Sequence, residues 1–276
     1  MRFVLPLVAV LALAADAAAF PQSTHAAMLD PSKATEQAPE SFRAKFETTK
    51  GDIVFECTRS WAPNGVDRFY NLVKIGFYDD VALFRVAKGF VVQWGIHGDP
   101  KVSAAWQRSN VARDPVKEKN TRGTLTYAMG KSPDTRTTQV FINYADNTNL
   151  DAKGFAPICK VAEGMEVADS FYSEYGEAVT EEQEPITTQG NAYLAAKWPK
   201  LDYIKTARIL GEQPGAGSPA AKAESNSTLF YVIGGLAAVV IVVFVATRKK
   251  EEPPKSGEAK PRRKKKKKKL SAGSAS

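Results

Sequence analysis

Short apolar runs recur along the middle of the chain, and turn-forming residues separate them. Runs of this length and composition predict β-strands. The predicted strands comprise residues 43–49, 52–58, 83–86, 90–94, 124–129, 139–144 and 156–161. Lys50-Gly51 and Lys88-Gly89 each lie between two consecutive runs, which predicts a tight turn at both places.

Two segments have a helical pattern instead. Residues 63–77 begin with Pro63, whose fixed φ suits the first turn of a helix. The apolar side chains on one face of this segment are Val66, Phe69, Tyr70 and Val73. Residues 165–175 form the second predicted helix. Many short strands together with two helices predict a mainly β fold, a closed antiparallel barrel with helical caps.

Both ends of the chain have patterns typical of targeting segments. A cation, an apolar run and small residues follow one another in residues 1–19, which predicts a secretory signal peptide. Residues 228–247 are uncharged and long enough to cross a bilayer as a helix. Three cations follow this run at once, which predicts a type I orientation with a luminal domain. The alternatives are an uncleaved anchor at the first segment and a buried core helix at the second.

These patterns divide the chain into six segments. The predicted map is a signal peptide (1–19), a linker (20–41), one folded domain (42–210), a flexible stalk (211–227), a transmembrane helix (228–247) and a disordered polybasic cytosolic tail (248–276). The expected location is an endomembrane, in the endoplasmic reticulum or later in the secretory pathway.

The net charge of +8 comes from the tail. Residues 248–276 hold thirteen basic and three acidic side chains, whereas residues 20–247 hold 24 basic and 26 acidic ones. Beside a membrane, such a tail is attracted to anionic lipid headgroups. The same basic residues are also typical of nucleic-acid binding, but the predicted membrane span makes that the weaker interpretation.

Few residues are available for metal or nucleophilic chemistry. The chain has two histidines, and His97 lies in a turn-like stretch that favours a loop residue over a ligand. No nucleophile elbow, zinc-protease pair, phosphate-binding loop or dinucleotide-binding glycine pattern occurs, so we expect neither a metal nor a cofactor. Cys57 and Cys159 can form a disulfide in an oxidising lumen. Because sequence does not fix the distance between their Cα atoms, two buried thiols are the favoured interpretation.

One constellation does suggest a site. Residues 84–95 place an arginine, an aromatic and an amide on two adjacent predicted strands. Gln139, Phe141 and Asn143 alternate along another strand and therefore share a face. If these strands are neighbours, they form a shallow apolar pocket rimmed by amide and guanidinium groups. The alternative is ordinary core aromatics beside a surface arginine.

The motifs in these stretches resemble the cyclophilin family of peptidyl-prolyl cis/trans isomerases. They are F-R-V-x-x-G-F-x-x-Q-x-G at 84–95, T-Q-V-F-I at 138–142 and N-L-D-x-x-G-F-A-P at 149–157. The resemblance covers about residues 45–177, and residues 190–202 look like the C-terminal end of bacterial-type members. It implies an eight-stranded barrel with two capping helices. It also implies a monomeric, cofactor-free isomerase acting on proline-containing polypeptides.

The same resemblance implies a role for each site residue. Arg85 is similar to the family's catalytic arginine, and Gln93 to the glutamine that orients it. Phe90, Phe141 and Leu150 resemble the floor and walls of the proline pocket. The remaining substrate-binding residues implied in this way are Ala128, Gln139 and Phe155. An active isomerase for secretory clients is the favoured hypothesis, and the alternatives are a non-catalytic proline-binding module and a tail-driven tether.

Overall fold

The computed structural model describes residue 20 and residues 22–211. The predicted signal peptide, the transmembrane helix, the tail and nearly all of the stalk lie outside the described residues. Within the described range, no helix combines the length and apolar character needed to cross a membrane.

One antiparallel sheet of nine strands organises the described residues, which confirms the mainly β prediction. The strands are β1 (Ser41–Thr48), β2 (Asp52–Thr58), β3 (Val81–Ala82), β4 (Arg85–Ala87), β5 (Val91–Trp94), β6 (Thr124–Tyr127), β7 (Val140–Asn143), β8 (Pro157–Glu163) and β9 (Tyr203–Ile209). Their order across the sheet is β3-β9-β1-β2-β8-β6-β7-β5-β4. Both predicted tight turns are present, and Gly51 and Gly89 have the positive φ that such turns favour.

The strand count corrects the prediction of a closed eight-stranded barrel. The two edge strands, β3 and β4, are consecutive in the chain and are separated by Leu83 and Phe84 alone. The sheet therefore curls until both of its edges reach this segment. Only the second half of the predicted strand at residues 83–86 is a β-strand, because the chain changes partner between β3 and β4. Leu83 donates its N–H to the carbonyl of Asp202 next to β9, whereas Arg85 pairs with Gln93 on β5.

Four α-helices accompany the sheet in the described residues, where the sequence predicted two. They are α1 (Pro63–Lys74), α2 (Pro100–Trp106), α3 (Met165–Asp169) and α4 (Gln183–Lys197). The second predicted helix ends at Asp169, well before residue 175. Helix α4 has no regular apolar period because Gly190, with a φ of +64°, interrupts it. A Cβ at this position would lie 1.9 Å from the carbonyl oxygen of Gly98, so the contact requires glycine.

The predicted linker at residues 20–41 is in fact packed against the domain. It contains two short 3₁₀-helices, Ala26–Met28 and Pro31–Lys33, and β1 begins at Ser41. Its buried side chains are Ala27, Met28, Ala34 and Ala38. Trp106 donates its indole N–H to the carbonyl of Met28 at 3.0 Å. The packing was not predicted because three alanines and one methionine, spaced irregularly, are buried here without producing a periodic pattern.

Aromatic side chains fill the space between the curled sheet and α1. Phe46 of β1 meets Phe55 of β2 edge-on at 5.0 Å between ring centroids, and it stacks on Phe69 of α1 at 5.9 Å. A second apolar cluster joins α4 to the β3–β4 segment through Phe84, Val179 and Ile186.

The two cysteines are joined by a disulfide, which differs from the favoured interpretation of free thiols. Cys57 on β2 lies directly opposite Cys159 on β8, and their Cα atoms are 4.0 Å apart. Both residues are fully buried. Strand register, which a separation of 102 positions along the chain does not reveal, brings them together.

Candidate active site

Three neighbouring strands place an arginine, a glutamine and a phenylalanine in one row. Arg85 of β4 lies opposite Gln93 of β5, and Gln93 lies opposite Phe141 of β7. Because directly opposed residues of antiparallel strands share a face, the three side chains project from the same side of the sheet.

An apolar cavity of about 220 Å³ lies beside this row. Its lining comprises Arg85, Phe90, Val91, Gln93, Ala128, Met129, Phe141, Leu150, Phe155, Thr180 and Gln183. Phe141 and Phe155 meet edge-on at 5.8 Å between centroids. Leu150 and Phe155 come together because a 3₁₀-helix, Thr148–Lys153, ends at Gly154, whose φ of +87° turns the chain back. The cavity therefore has aromatic and aliphatic walls with polar groups at one edge.

A chain of hydrogen bonds forms that polar edge. Arg85 donates from Nη1 to Oε1 of Gln93 at 3.0 Å. Gln93 donates from Nε2 to Oε1 of Gln139 at 2.8 Å, and Gln139 donates to Oε1 of Gln183 at 3.0 Å. The guanidinium carbon of Arg85 also lies 5.4 Å from the ring centroid of Phe90. An arginine is thus held at the mouth of an apolar cavity.

Comparison with known proteins identifies the family of this fold and site. Residues 43–190 match the sequence model of the family described as "Cyclophilin type peptidyl-prolyl cis-trans isomerase/CLD". The chain belongs to the cyclophilin family. It is accordingly an isomerase, a peptidyl-prolyl cis–trans isomerase.

Bacterial relatives agree with this assignment. The chain is 33% identical over 137 residues to peptidyl-prolyl cis-trans isomerase B of Escherichia coli, covering 45% of this chain and 80% of the relative. It is 36% identical over 143 residues to peptidyl-prolyl cis-trans isomerase A of Dickeya dadantii, covering 48% and 72%. Among solved structures, a cyclophilin-type isomerase of Cryptosporidium parvum matches with a TM-score of 0.47 and 21% identity, over 63% of this chain and 99% of that one.

The cyclophilin fold brings all eight of the predicted site residues into one region. Seven line the cavity: Arg85, Phe90, Gln93, Ala128, Phe141, Leu150 and Phe155. Gln139 lines an adjoining polar depression of about 230 Å³, which it shares with Gln93 and Ala128. The individual catalytic and substrate-binding roles of these residues remain predictions.

Sequence reasoning missed the part of the cyclophilin site that comes from residues after α3. Thr180 and Gln183 line the cavity. Glu177 binds Arg85 with both of its carboxylate oxygens, at 2.8 and 2.9 Å. These residues belong to a polar stretch without periodic pattern, so no local signal relates them to an arginine 92 positions earlier.

The loop histidine lies away from the cavity and does not line it. His97 is 2% exposed, and its ring packs against Phe77 at 5.2 Å between centroids. Its Nδ1 accepts the N–H of Asp99 at 2.9 Å. Burial lowers the pKa of His97 to about 4, so the ring is neutral at pH 7.

Proposed function

We propose that this isomerase accelerates X-Pro rotation by binding the proline ring in the apolar cavity while Arg85 donates to the prolyl nitrogen. The observation that carries the proposal is the position of the guanidinium at the edge of a cavity walled by Phe90, Phe141 and Leu150. This places a fixed cation beside a surface suited to a pyrrolidine ring.

The chemistry follows from the electronic structure of the amide. Resonance gives the C–N bond double-bond character and a rotation barrier of about 18–20 kcal/mol. When the bond twists, that resonance is lost, and the pyramidal nitrogen becomes a better hydrogen-bond acceptor. A donor fixed beside this nitrogen binds the twisted state more strongly than the planar one, which lowers the barrier.

Arg85 retains donors for this purpose. A guanidinium carries five N–H groups. Among the hydrogen bonds of the described residues, Glu177 accepts one N–H from Nε and one from Nη2, and Gln93 accepts one N–H from Nη1. One N–H on each terminal nitrogen therefore remains for the substrate.

The test is the rate of cis–trans exchange of a short proline peptide, measured by NMR with the full 276-residue chain. Wild type is expected to accelerate exchange, and Arg85→Ala is expected to lose most of that acceleration while still binding the peptide. Lys88→Ala is a matched control, because it removes a neighbouring exposed cation whose ammonium pairs with Glu174 outside the cavity. Equal rates for wild type and Arg85→Ala would refute the arginine mechanism. Peptide binding by wild type without acceleration would instead indicate a proline-binding module.

We further propose that the isomerase domain faces the secretory lumen as part of a type I membrane protein and acts on proline-containing secretory clients. The support comes from the sequence of residues 1–19 and 228–247 and from the buried disulfide, a bond typical of oxidising compartments. Protease treatment of sealed membranes carrying the tagged chain tests this topology. Protection of the domain together with cleavage of a C-terminal tag is expected, and cleavage of the domain in sealed membranes would contradict it.

A further inference from the structure

The segment that follows α3 closes one side of the site. We refer to residues 173–183 as the flanking segment. Consecutive turns shape this segment. The backbone N–H of Gly176 donates to the carbonyl oxygen of Ser173, and the backbone N–H of Thr180 donates to the carbonyl oxygen of Glu177, both at 3.0 Å. Val179 is fully buried, and Tyr175 packs against the same apolar cluster. Glu177 thus lies midway between two anchored side chains, so its position is fixed although the side chain itself is half exposed.

The flanking segment contacts the site at two points. Near its middle, the Glu177 carboxylate accepts from Nε and Nη2 of Arg85. At its C-terminal end, Gln183 accepts from Gln139. Since Arg85, Gln93 and Gln139 are already joined, these contacts close a circuit that begins and ends on one short piece of chain.

We propose that Glu177 is a positioning residue that sets the orientation of the Arg85 guanidinium, an inference that rests on the proposed role of Arg85. A two-point contact between a carboxylate and one side of a guanidinium fixes the plane of the fork as well as its distance. Together with Gln93 on Nη1, it leaves the remaining donors in one orientation.

This role affects the turning of the bond more than the binding of the peptide. The proline ring is held by the apolar walls, which Glu177 does not form. An arginine released from Glu177 gains rotational freedom, and its N–H must then be ordered during each turnover. Losing the carboxylate therefore lowers kcat and leaves KM nearly unchanged.

Glu174 offers a matched control on the same segment. Its carboxylate pairs with Lys88 at 3.0 Å, and both side chains are mostly exposed. Glu174→Ala removes the same charge from the same stretch of chain but leaves Arg85 untouched.

The experiment measures kcat and KM for a proline peptide by NMR exchange with the full chain and its variants. Glu177→Ala is expected to lower kcat by about tenfold with KM changed less than about twofold. Glu177→Gln, which keeps one acceptor oxygen in place, is expected to be intermediate. Glu174→Ala is expected to match wild type.

A double-mutant cycle separates positioning from a general structural effect. If Glu177 acts through the arginine, adding Glu177→Ala to Arg85→Ala changes the rate no further. A further loss in that background would overturn the inference, as would an unchanged or raised kcat in the single variant. A wild-type chain that is active and dependent on Arg85 but indifferent to Glu177 overturns this inference alone. An inactive wild-type chain overturns the proposed function, and this inference with it.

Discussion

Gln93 links Arg85 to Gln139 in the hydrogen-bond circuit of the site. Its amide accepts from Arg85 and donates to Gln139, so both of its polar atoms are used in the circuit. It is almost fully buried, and water therefore does not readily replace these partners.

Replacing Gln93 with leucine removes both bonds while nearly preserving the side-chain volume. We expect Gln93→Leu to lower kcat/KM for a proline peptide by at least about tenfold, because Arg85 loses one of the two side chains, Gln93 and Glu177, that accept its hydrogen bonds among the described residues. NMR exchange measures this loss. Gln107→Leu, at an exposed glutamine after α2, is the control and should match wild type. Equal rates for both variants would show that Gln93 does not orient the arginine.

His97 makes the stability depend on pH. Its pKa is lowered from 6.5 to about 4 in the folded chain because burial penalises the charged ring. Between these values the unfolded state binds more protons than the folded one, so stability falls as pH falls from 6.5 toward 4, by about 3 kcal/mol for this group alone. His97→Asn retains an acceptor for the N–H of Asp99 but does not titrate. Urea unfolding from pH 7 to pH 4 should show a shallower decline for this variant, and identical slopes would contradict the assignment.

At the scale of elements, the sequence predicted the turns and the helix whose conformation depends on residues adjacent in the chain. The turns at Lys50-Gly51 and Lys88-Gly89 need a glycine with positive φ, and helix α1 has Pro63 at its start with an apolar face behind it. Helix α4 is instead interrupted at Gly190, where the chain packs against the backbone of Gly98, a contact that no local pattern encodes. The segment predicted as a linker is likewise held by contacts with distant residues, such as the hydrogen bond from Trp106 to Met28.

Helix α1 also depends on a remote carboxylate. Asp114 accepts the N–H groups of Asn64 and Gly65 at the start of α1, both at 2.9 Å, and it pairs with Arg136. The Asp114 and Arg136 side chains are each 1% exposed.

Asp114→Ala should therefore lower the free energy of unfolding by about 3–5 kcal/mol, because it leaves a buried guanidinium without its carboxylate. Urea denaturation measures the change. Asp134→Ala breaks a second Asp–Arg pair, with Arg113, in which both side chains are about half or more exposed, and it should change stability little. Similar effects for the two variants would contradict the importance of burial.

At the scale of the whole molecule, the disulfide links strands that are 102 positions apart in the chain. A crosslink of this span restricts the unfolded ensemble, and losing one typically costs about 2–5 kcal/mol. For a domain of this size we expect a Tm lower by roughly 4–20 °C in thiol reductant. The double variant Cys57→Ala/Cys159→Ala should melt at one temperature with and without reductant. A wild-type Tm that is the same with and without reductant would contradict the prediction.

Sequence and structure contribute differently to the site. The grouping of Arg85, Gln93 and Phe141 was predictable, because the resemblance implied that all three belong to one site. Their pairing across neighbouring strands was left open by the sequence and is given by the structure. Glu177 and Gln183 were not predictable, because their approach depends on how the flanking segment packs after α3. The site residues on the sheet could thus be predicted from the sequence, whereas Glu177 and Gln183, which long-range packing brings to the site, could not.

The proposed mechanism requires a guanidinium held in place, and not merely a nearby positive charge, to accelerate bond rotation. Arg85→Lys separates these two, because lysine keeps the charge but lacks the planar fork that Glu177 and Gln93 hold. The direct measurement is the exchange rate of a proline peptide at saturating concentration with each full chain. We expect a rate at least about tenfold lower for Arg85→Lys than for wild type. A lysine variant within twofold of wild type would contradict it.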